Sequence, residues 1–381
     1  MSDRPLAVFV AWKDIRHPAA GGAEVVHQEW SKRLIRDGYR VMHLVPGFAG
    51  CTPKETIDGI EIHRFGSSVL SFYRAARYYK RELANQTDLL IDVFNCVGSF
   101  ALRAGASSHA VFMIHHIQDR MWFCQTSFCG VPKVFMPFIN LGGYVLEKLQ
   151  LRRLTRIHQG PVVTVSPSSK QELVRYGFSS SRITVAHNGN PLEPLSSLSA
   201  AEPKFERFTV LLIGPRKSKR PMHTFKAFAL LQSKVSDVAL IVAGWGTESA
   251  RLERHVRKER IQQVMFEGRV SEDRKKELLQ RSHVLCTTPV KEGWGLIVNE
   301  ANAMGTPVIG YDVPGLRDAL AFDNGFLCAP DPVAMAEKLE QVYKMWKDDP
   351  EAYRAQCERA LEASRQWSFD RSYREFCAAL K

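Results

Sequence analysis

The sequence predicts an α/β protein made of two Rossmann-like domains. Its 381 residues are more than one hydrophobic core normally organises, and 45% of them are apolar, which is enough for two cores. In each half, an apolar strand leads through a glycine-containing turn into a helix, as in parallel sheets covered by helices. Residues 191–206 are rich in Pro, Ser and Ala and show little periodicity. We therefore expect domains at residues 1–192 and 207–368, joined by a linker at 193–206.

The first domain opens with a strand–turn–helix–strand pattern. A strand over residues 7–12 leads into a turn with Gly21 and Gly22, followed by a helix over 23–37 and a strand over 40–45. Two adjacent glycines before a helix allow a diphosphate to approach the amides at its N-terminus. An ordinary tight turn explains the same pair of residues, so this signal is weak on its own.

A basic and aromatic segment follows at residues 70–84. Its cations recur at helical spacing and are Arg74, Arg77, Lys80 and Arg81. Such a helix can lie on an anionic bilayer, but an amphipathic helix packed on the sheet with its basic face in water is the favoured interpretation. The net charge of +12 is concentrated in residues 1–200, with 23 basic and 15 acidic residues, and this favours an anionic partner. No nucleic-acid-binding module is recognisable, so nucleic acid is not expected as a partner.

Two histidines end the buried strand at residues 111–114. His115 and His116 lie where open α/β sheets bind ligands, at the carboxyl end of a parallel strand. A metal site formed with the downstream cysteines is disfavoured because the spacing, with seven and four intervening residues, fits no common site. Residues 121–146, rich in Met, Trp and Phe, are expected to be an acceptor lid or a membrane-facing loop, with core packing as the alternative.

Cysteines and apolar segments indicate the cellular location. The eight cysteines form no CxxC pair, which favours reduced thiols in a cytosolic protein. The apolar run at 6–12 predicts a first strand and not a signal peptide, and the run at 134–146 is shorter than the ~20 residues of a bilayer span. We expect a cytoplasmic protein that can also bind the inner face of the membrane as a peripheral protein.

The second domain opens with a strand at 208–213 that leads into a loop crowded with cations. These are Arg216, Lys217, Lys219 and Arg220. Basic side chains between a strand and a helix can neutralise a diphosphate and stabilise it as it departs. A solvated, purely structural loop is the alternative.

The stretch from residue 291 to 311 combines two acids with a glycine turn. Glu292 precedes Gly-Trp-Gly, and Glu300 is expected about two turns into the following helix. Glycines and the first amides of a helix suit a phosphate, whereas carboxylates suit sugar hydroxyls. The stretch therefore predicts a ligand that carries both, although a lone pair of acids at this spacing is equally often surface charge.

This pattern resembles the E-x7-E signature of the retaining glycosyltransferases of family four, which have the GT-B fold of two Rossmann-like domains facing across a cleft. The resemblance implies that Glu292 meets the transferred sugar and Glu300 holds the ribose hydroxyls. It also implies that the backbone amides after the first acid meet sugar and phosphate, namely those of Gly293, Trp294, Gly295 and Leu296. Trp294 stands where the family more often has Phe.

Further positions are carried over from the same resemblance. Arg216 and Lys219 would bind the diphosphate, with Lys217 or Arg220 as substitutes because the loop is shortened. His115 would face the donor sugar, with His116 as the alternative. In the glycine loop after the first strand, the donor-binding positions would be Gly21, Gly22 and the neighbouring Glu24. In the segment that receives the nucleobase, they would be Arg269 and Val270.

The function that follows is a retaining hexosyltransferase. The donor is expected to be a UDP-hexose first and GDP-mannose second, and the acceptor a saccharide or lipid-linked saccharide in cell-surface polysaccharide synthesis. No cofactor or metal is expected, because basic residues stabilise the leaving diphosphate. Residues 369–381 would return to the first domain as a last helix. The alternatives are a GT-B epimerase or phosphorylase, or a non-catalytic basic protein that binds nucleic acid or membrane.

Overall fold

The chain folds into two compact α/β units. The computed structural model describes residues 4–66, 70–95, 98, 100–103, 110–124 and 133–381. The first unit comprises Met1–Gly189 and Ser368–Lys381, and the second comprises Asn190–Trp367. Each unit has its own largely parallel sheet, so the predicted fold class of two α/β domains is confirmed. No helix within the described ranges is long and apolar enough to cross a bilayer.

The sheet of the first unit has eight strands in the described part of the chain. They are β1 (Leu6–Val10), β2 (Arg40–Val45), β3 (Lys54–Ile57), β4 (Ile60–Arg64), β5 (Leu89–Phe94), β6 (Ala110–Ile114), β7 (Val162–Thr164) and β8 (Ile183–Val185). Their order is β3-β4-β2-β1-β5-β6-β7-β8, and every pair is parallel except β3 with β4. β1 and β5 are buried along their whole length, as expected for central strands covered on both faces.

Helices cover both faces of this sheet. They are α1 (Gly22–Arg36), α2 (Leu70–Tyr78), α3 (Phe100–Arg103), α4 (Met136–Ile157) and α5 (Pro167–Tyr176). Phe9 and Trp30 belong to the core on one side of the sheet, whereas Val8 and Tyr79 belong to the core on the other. α5 begins with a capped N-terminus, because the hydroxyl of Ser166 accepts a hydrogen bond from the Ser169 amide.

The basic segment at 70–84 packs on the sheet. α2 continues into one π-helical turn at Tyr79–Leu83. Phe72 and Tyr79 are buried, and all four cations of the segment are exposed. The structure thus agrees with the packed-helix interpretation of this segment.

The expected loop at 121–146 is largely helical. Two 3₁₀ segments, Asp119–Cys124 and Lys133–Phe135, and the long helix α4 account for its described residues, while residues 125–132 lie outside the described chain. Pro137 occupies the first turn of α4, where a proline needs no backbone partner, so it does not interrupt the helix.

The second unit has a six-stranded parallel sheet. Its strands are β9 (Phe208–Ile213), β10 (Val238–Ala243), β11 (Val264–Gly268), β12 (Val284–Thr287), β13 (Val308–Tyr311) and β14 (Gly325–Cys328), in the order β11-β10-β9-β12-β13-β14. Its helices are α6 (Pro221–Gln232), α7 (Ser249–Glu259), α8 (Glu272–Arg281), α9 (Leu296–Ala303), α10 (Leu316–Ala319), α11 (Pro332–Asp348) and α12 (Pro350–Arg365).

The segment expected to be a linker, residues 193–206, is packed on the second unit. The Leu195 amide donates to the Ala303 carbonyl at 3.0 Å. The ammonium of Lys204 donates to the carbonyl of Ser282 at 2.7 Å and to the hydroxyl of Thr306 at 2.8 Å. These long-range bonds fix a segment whose sequence has no periodicity of its own.

The last helix, α13 (Phe369–Ala378), belongs to the first unit. Phe376 stacks on Trp30 with ring centroids 4.6 Å apart, and the Trp30 indole donates to the Ser372 hydroxyl at 2.9 Å. Phe369 and Phe376 are members of the same hydrophobic core as β1 and α1.

Candidate functional site

The loops that carry the predicted site residues follow the carboxyl ends of parallel strands in the second unit. The loop at 214–220 follows β9, and the loop at 288–295 follows β12, its neighbour in the sheet. The two loops are hydrogen-bonded to each other, because the Val290 amide donates to the Ser218 carbonyl at 2.8 Å and the Thr288 hydroxyl donates to the Lys219 carbonyl at 2.9 Å. Ligands bind at this edge in open α/β sheets.

Lys219 and Glu292 are joined by an ion pair across these loops. The Lys219 ammonium contacts the Glu292 carboxylate directly, and the two side chains are 28% and 18% exposed. The Glu292 amide donates to the Pro314 carbonyl at 3.2 Å, which fixes the backbone of the acid. A cation and an acid that the sequence assigns to phosphate and sugar are therefore already in contact.

The other cations of the loop differ in their surroundings. Arg216 and Lys217 are exposed. The guanidinium of Arg220 donates to the carbonyls of Thr288 and Pro289 and lies over the Tyr311 ring, 5.0 Å from its centroid. Arg220 therefore holds the loops together, with its guanidinium already bonded to two carbonyls.

The glycine turn leads directly into helix α9. Gly295 is the residue before the helix and has φ = 97°, a left-handed conformation that favours glycine. The Trp294 side chain points into the core, where it is 2% exposed and packs edge-on against Trp367 at 4.8 Å. Its indole N–H donates to the Asn299 side chain at 3.3 Å. The Trp294 side chain is thus part of the core, and the backbone amide is the group of this residue that the resemblance assigns to the donor.

Glu300 lies on α9 beside a lysine that the sequence analysis did not identify. It is the fifth residue of the helix, one turn from its start and not two. Its side chain is 12% exposed, and Lys275 of α8 approaches it at 3.4 Å while also contacting Glu272 at 2.6 Å. Burial raises the pKa of Glu300 against the opposing charges of Lys275 and Lys219.

The predicted nucleobase segment follows β11. Arg269 is exposed and Val270 is partly buried. Gly268, before them, has φ = 66°, and its carbonyl accepts a hydrogen bond from the Gly244 amide at 2.7 Å. Because β11 runs parallel to β10 and β9, the segment that follows it lies at the same carboxyl edge of the sheet as the cationic loop.

The glycine loop of the first unit is capped by its own acid. α1 begins at Gly22, and the Gly21 amide donates to the Glu24 carboxylate at 2.7 Å. Glu24 is buried, with 6% of its surface exposed. The Gly21 amide, expected to meet a phosphate, thus bonds to the carboxylate three residues later.

His115 follows β6 and pairs with a buried histidine of another element. Its Nε2 lies 2.9 Å from Nε2 of His27, a residue of α1 that the sequence analysis did not single out. Burial, together with the neighbouring His116, lowers the pKa of His115 to about 3, and burial also lowers the pKa of His27. Both rings are therefore neutral at pH 7, and one must donate to the other.

A small cavity of about 40 Å³ lies against this histidine pair. Trp12, Glu24, Asn95 and His116 contribute to its lining together with the pair itself. No cluster of three or more potential metal ligands occurs among the described residues, and Cys129 of the disfavoured metal site lies outside them.

Comparisons with known proteins identify both halves of the chain. Residues 20–193 match the family model for Glycosyltransferase Family 4, and residues 201–362 match the model for Glycosyl transferases group 1. N-acetyl-alpha-D-glucosaminyl L-malate synthase of Bacillus anthracis is 30% identical over 202 residues, which is 52% of this chain and 50% of that protein. The chain spans about half the length of this relative and of the glycogen synthases of Mycobacterium tuberculosis that it also matches.

Solved structures share the fold over nearly the whole chain. Sucrose-phosphate synthase from Thermosynechococcus elongatus has a TM-score of 0.75 at 16% identity, covering 98% of each chain. HepE of Anabaena, in complex with UDP and glucose, has a TM-score of 0.69 at 16% identity, covering 99% of each chain. At such identities the likeness concerns the fold.

Proposed function

The chain belongs to the family-4-like glycosyltransferases with the GT-B fold, and on this premise we propose that it is a retaining hexosyltransferase. It would take a hexose from a nucleotide-diphosphate sugar and pass it to an acceptor hydroxyl. The observation that carries this proposal is the meeting of Lys219, Glu292 and the start of α9 at one sheet edge. A cation, a carboxylate and helix-terminal amides are the groups that a sugar diphosphate requires.

The proposed roles follow from the chemistry of the step. The bond between the anomeric carbon and the diphosphate oxygen breaks, and negative charge develops on the departing diphosphate. Arg216, Lys219 and the amides of residues 293–296 would stabilise that charge. The acceptor oxygen attacks the anomeric carbon from the face that the diphosphate leaves, so the anomeric configuration is retained. The acceptor proton passes to the leaving diphosphate oxygen. Glu292 would orient the hexose.

Glu300 is proposed to hold the ribose. Its carboxylate lies on α9, with Lys275 opposing the effect of burial on its pKa, and an ionised acid accepts two hydroxyl hydrogen bonds. The backbone at Arg269 and Val270 would receive the nucleobase. His115 would contact the donor sugar as a neutral ring held by His27.

UDP-hexose is the proposed donor, with GDP-mannose second. The structural likeness to HepE, which was solved with UDP and glucose, supports this order. The proposed acceptor is a saccharide or lipid-linked saccharide of cell-surface polysaccharide synthesis. WaaG, described as a glycosyltransferase involved in lipopolysaccharide biosynthesis, shares the fold with a TM-score of 0.71 over 98% of each chain and supports that context.

The proposal includes independence from metal ions and a peripheral place on an anionic membrane. Because Lys219 and Arg216 would carry the charge of the diphosphate, transfer should persist in EDTA. The alternative of a metal-assisted transferase predicts loss of transfer in EDTA and its recovery on adding a divalent ion.

A thermal-shift panel of UDP, GDP and ADP sugars tests the donor assignment. We expect a UDP-sugar to raise the melting temperature most, and Glu300→Gln to reduce that shift. Glu292→Gln should retain the shift but depress turnover. Retention is read from the anomeric proton couplings of the product. An inverted product, donor hydrolysis or epimerisation without acceptor, or no shift with any sugar nucleotide would each contradict the proposal.

A further inference from the structure

Helix α4 carries a row of exposed apolar side chains on its outer side. Each is between 45% and 74% exposed, and they define the apolar face: Phe138, Leu141, Val145, Leu146 and Leu149 on the helix itself, with Val134 and Phe135 in the short 3₁₀ segment, Lys133–Phe135, that immediately precedes it. The helical members recur at intervals of three and four residues, which places them along one side of the helix. Such a concentration of large exposed apolar side chains marks an interaction surface.

The opposite side of α4 already has its partners within the first unit. Its buried residues recur at the complementary positions and include Met136, Gly143, Glu147, Leu151 and Leu154. A side chain at position 143 would collide with the Trp122 ring, so the helix rests directly on that ring. Glu147 accepts hydrogen bonds from the Gln118 and Asp119 amides at 2.8 and 2.9 Å. The buried side therefore anchors the helix without the apolar face.

The charges along the outer side of α4 have one sign. Arg152, Arg153 and Arg156 are exposed in its last two turns. Glu147 is the one acid of the helix, and it is fully buried. The nearby acid Asp119 lies outside the helix and approaches Lys148 at 3.9 Å. The outer side is thus apolar at its beginning and cationic at its end, with no exposed acid on the helix.

We propose that this side of α4 docks on an anionic lipid bilayer. Its apolar residues would enter the interface and its arginines would contact lipid phosphates. Phe138 and Arg153 are fifteen residues apart, about 22 Å along a helix at 1.5 Å per residue. An interfacial helix lies along the membrane with its apolar face buried by ~5–10 Å, so the apolar residues of α4 would enter the bilayer surface while the arginines farther along the helix would meet the headgroups.

Charge complementarity favours lipid over a second copy of the chain. A symmetric dimer through this face would place the three arginines against each other or against apolar residues, with no acid on α4 to pair them. An anionic bilayer supplies both partners on one surface. This inference rests on the proposed function only for the peripheral location, and it is independent of the transfer step.

Sedimentation of the full chain with vesicles tests the inference. We expect binding to vesicles of phosphatidylcholine with phosphatidylglycerol and much weaker binding to phosphatidylcholine alone. The double variant F138E/L141E should bind at least about tenfold more weakly. R152E/R153E should also bind at least about tenfold more weakly, because each basic residue near an anionic surface contributes to the free energy of binding. Circular dichroism and the UDP-sugar thermal shift should be unchanged in both variants.

Two controls separate the surface from general charge or hydrophobicity. L230E introduces a charge at an exposed leucine of α6, and R257E/K258E reverses two exposed charges at the end of α7. Both should bind vesicles like the wild type. Equal loss in R257E/K258E and R152E/R153E, or no binding to anionic vesicles, would overturn the proposal. So would a dimer in sedimentation velocity that F138E/L141E dissociates. If no UDP-sugar raised the melting temperature of the wild type, that result would contradict the proposed function and leave the membrane-docking proposal standing.

Discussion

The ammonium of Lys219 contacts the carboxylate of Glu292, and this ion pair joins the loop after β9 to the loop after β12. The proposed roles assign the two groups to different parts of the donor, the diphosphate and the hexose. In the protein without donor, each group neutralises the other. Donor binding would therefore exchange an internal ion pair for two contacts with the ligand, so these two groups would add little to the affinity for the donor. They would still stabilise the negative charge that develops as the diphosphate departs.

Lys219→Ala should lower turnover far more than nucleoside affinity. Removing a cation from the developing charge of the leaving diphosphate should reduce kcat by about 10²–10³-fold, while the affinity for uridine should be about unchanged. Steady-state kinetics and calorimetric titration with uridine measure the two quantities. Lys226→Ala changes an exposed lysine of the following helix, α6, to which no role in donor binding is assigned, and serves as the control. An equal fall in uridine affinity would show that Lys219 does not act through the phosphate.

Lys275→Met should make nucleotide binding more sensitive to acid. Burial already raises the pKa of Glu300, and Lys275 opposes that increase, so losing the lysine raises the pKa further. Ribose binding needs the Glu300 carboxylate ionised, so as the pH is lowered the variant should lose affinity for UDP at a higher pH than the wild type does. The largest difference in affinity between the two proteins should be roughly tenfold. Titration with UDP between pH 5.5 and 8.5 measures this shift.

The matched control for this prediction is Lys276→Met. Lys276 is the next residue of α8 and is exposed, so the net charge changes equally without touching Glu300. Its affinity profile should follow the wild type. Superimposed profiles for Lys275→Met and the wild type would remove Lys275 from the site.

Trp294→Ala should destabilise the second unit, because this side chain is part of the core. Truncating a buried aromatic residue costs about 3–5 kcal/mol in free energy of unfolding. Trp245, which is 59% exposed after β10, provides the control, and its replacement by Ala should cost no more than about 0.5 kcal/mol. Urea unfolding followed by circular dichroism compares them. Equal stability of the two variants would mean that the Trp294 ring is not packed against Trp367.

Acid should destabilise the first unit through His43. Burial lowers the pKa of His43 to about 4, below that of the unfolded chain, so unfolding takes up a proton at intermediate pH. The contribution of neutral His43 to the free energy of unfolding is fully present above about pH 6.5. It falls by roughly 3 kcal/mol as the pH is lowered toward 4. His43→Gln should flatten the fall in melting temperature over that range. His255→Gln, in α7, should leave it as steep as in the wild type.

Local patterns predicted most of the elements and much of the candidate site. Continuous apolar runs identified β1 and β6, and the arrangement of Glu292, the glycine turn and Glu300 located the loop and the helix at which the proposed donor would bind. These features lie within a few residues of each other along the chain, so periodicity and turn chemistry are sufficient to find them.

The pairings of these residues could not be predicted in the same way. Lys275 and Glu300 are 25 residues apart, and His27 and His115 are 88 apart, so only the packing of whole elements brings them together. Arg220 was one of four similar cations in the sequence, and its carbonyl partners distinguish it only in the fold. Helix α4 was expected as a loop because its apolar residues occur on both sides of the helix, which hides the 3.6-residue period.

The discontinuous first unit constrains the order of folding during synthesis. Residues 190–367, which form the second unit, leave the ribosome before Phe369 and Phe376, which complete the hydrophobic core around Trp30. The core of the nascent first unit therefore stays incomplete and exposed to solvent until the whole second unit has been translated. Chaperones that shield apolar surface should accordingly remain bound to the first unit until α13 emerges, and deletion of α13 should prolong that association.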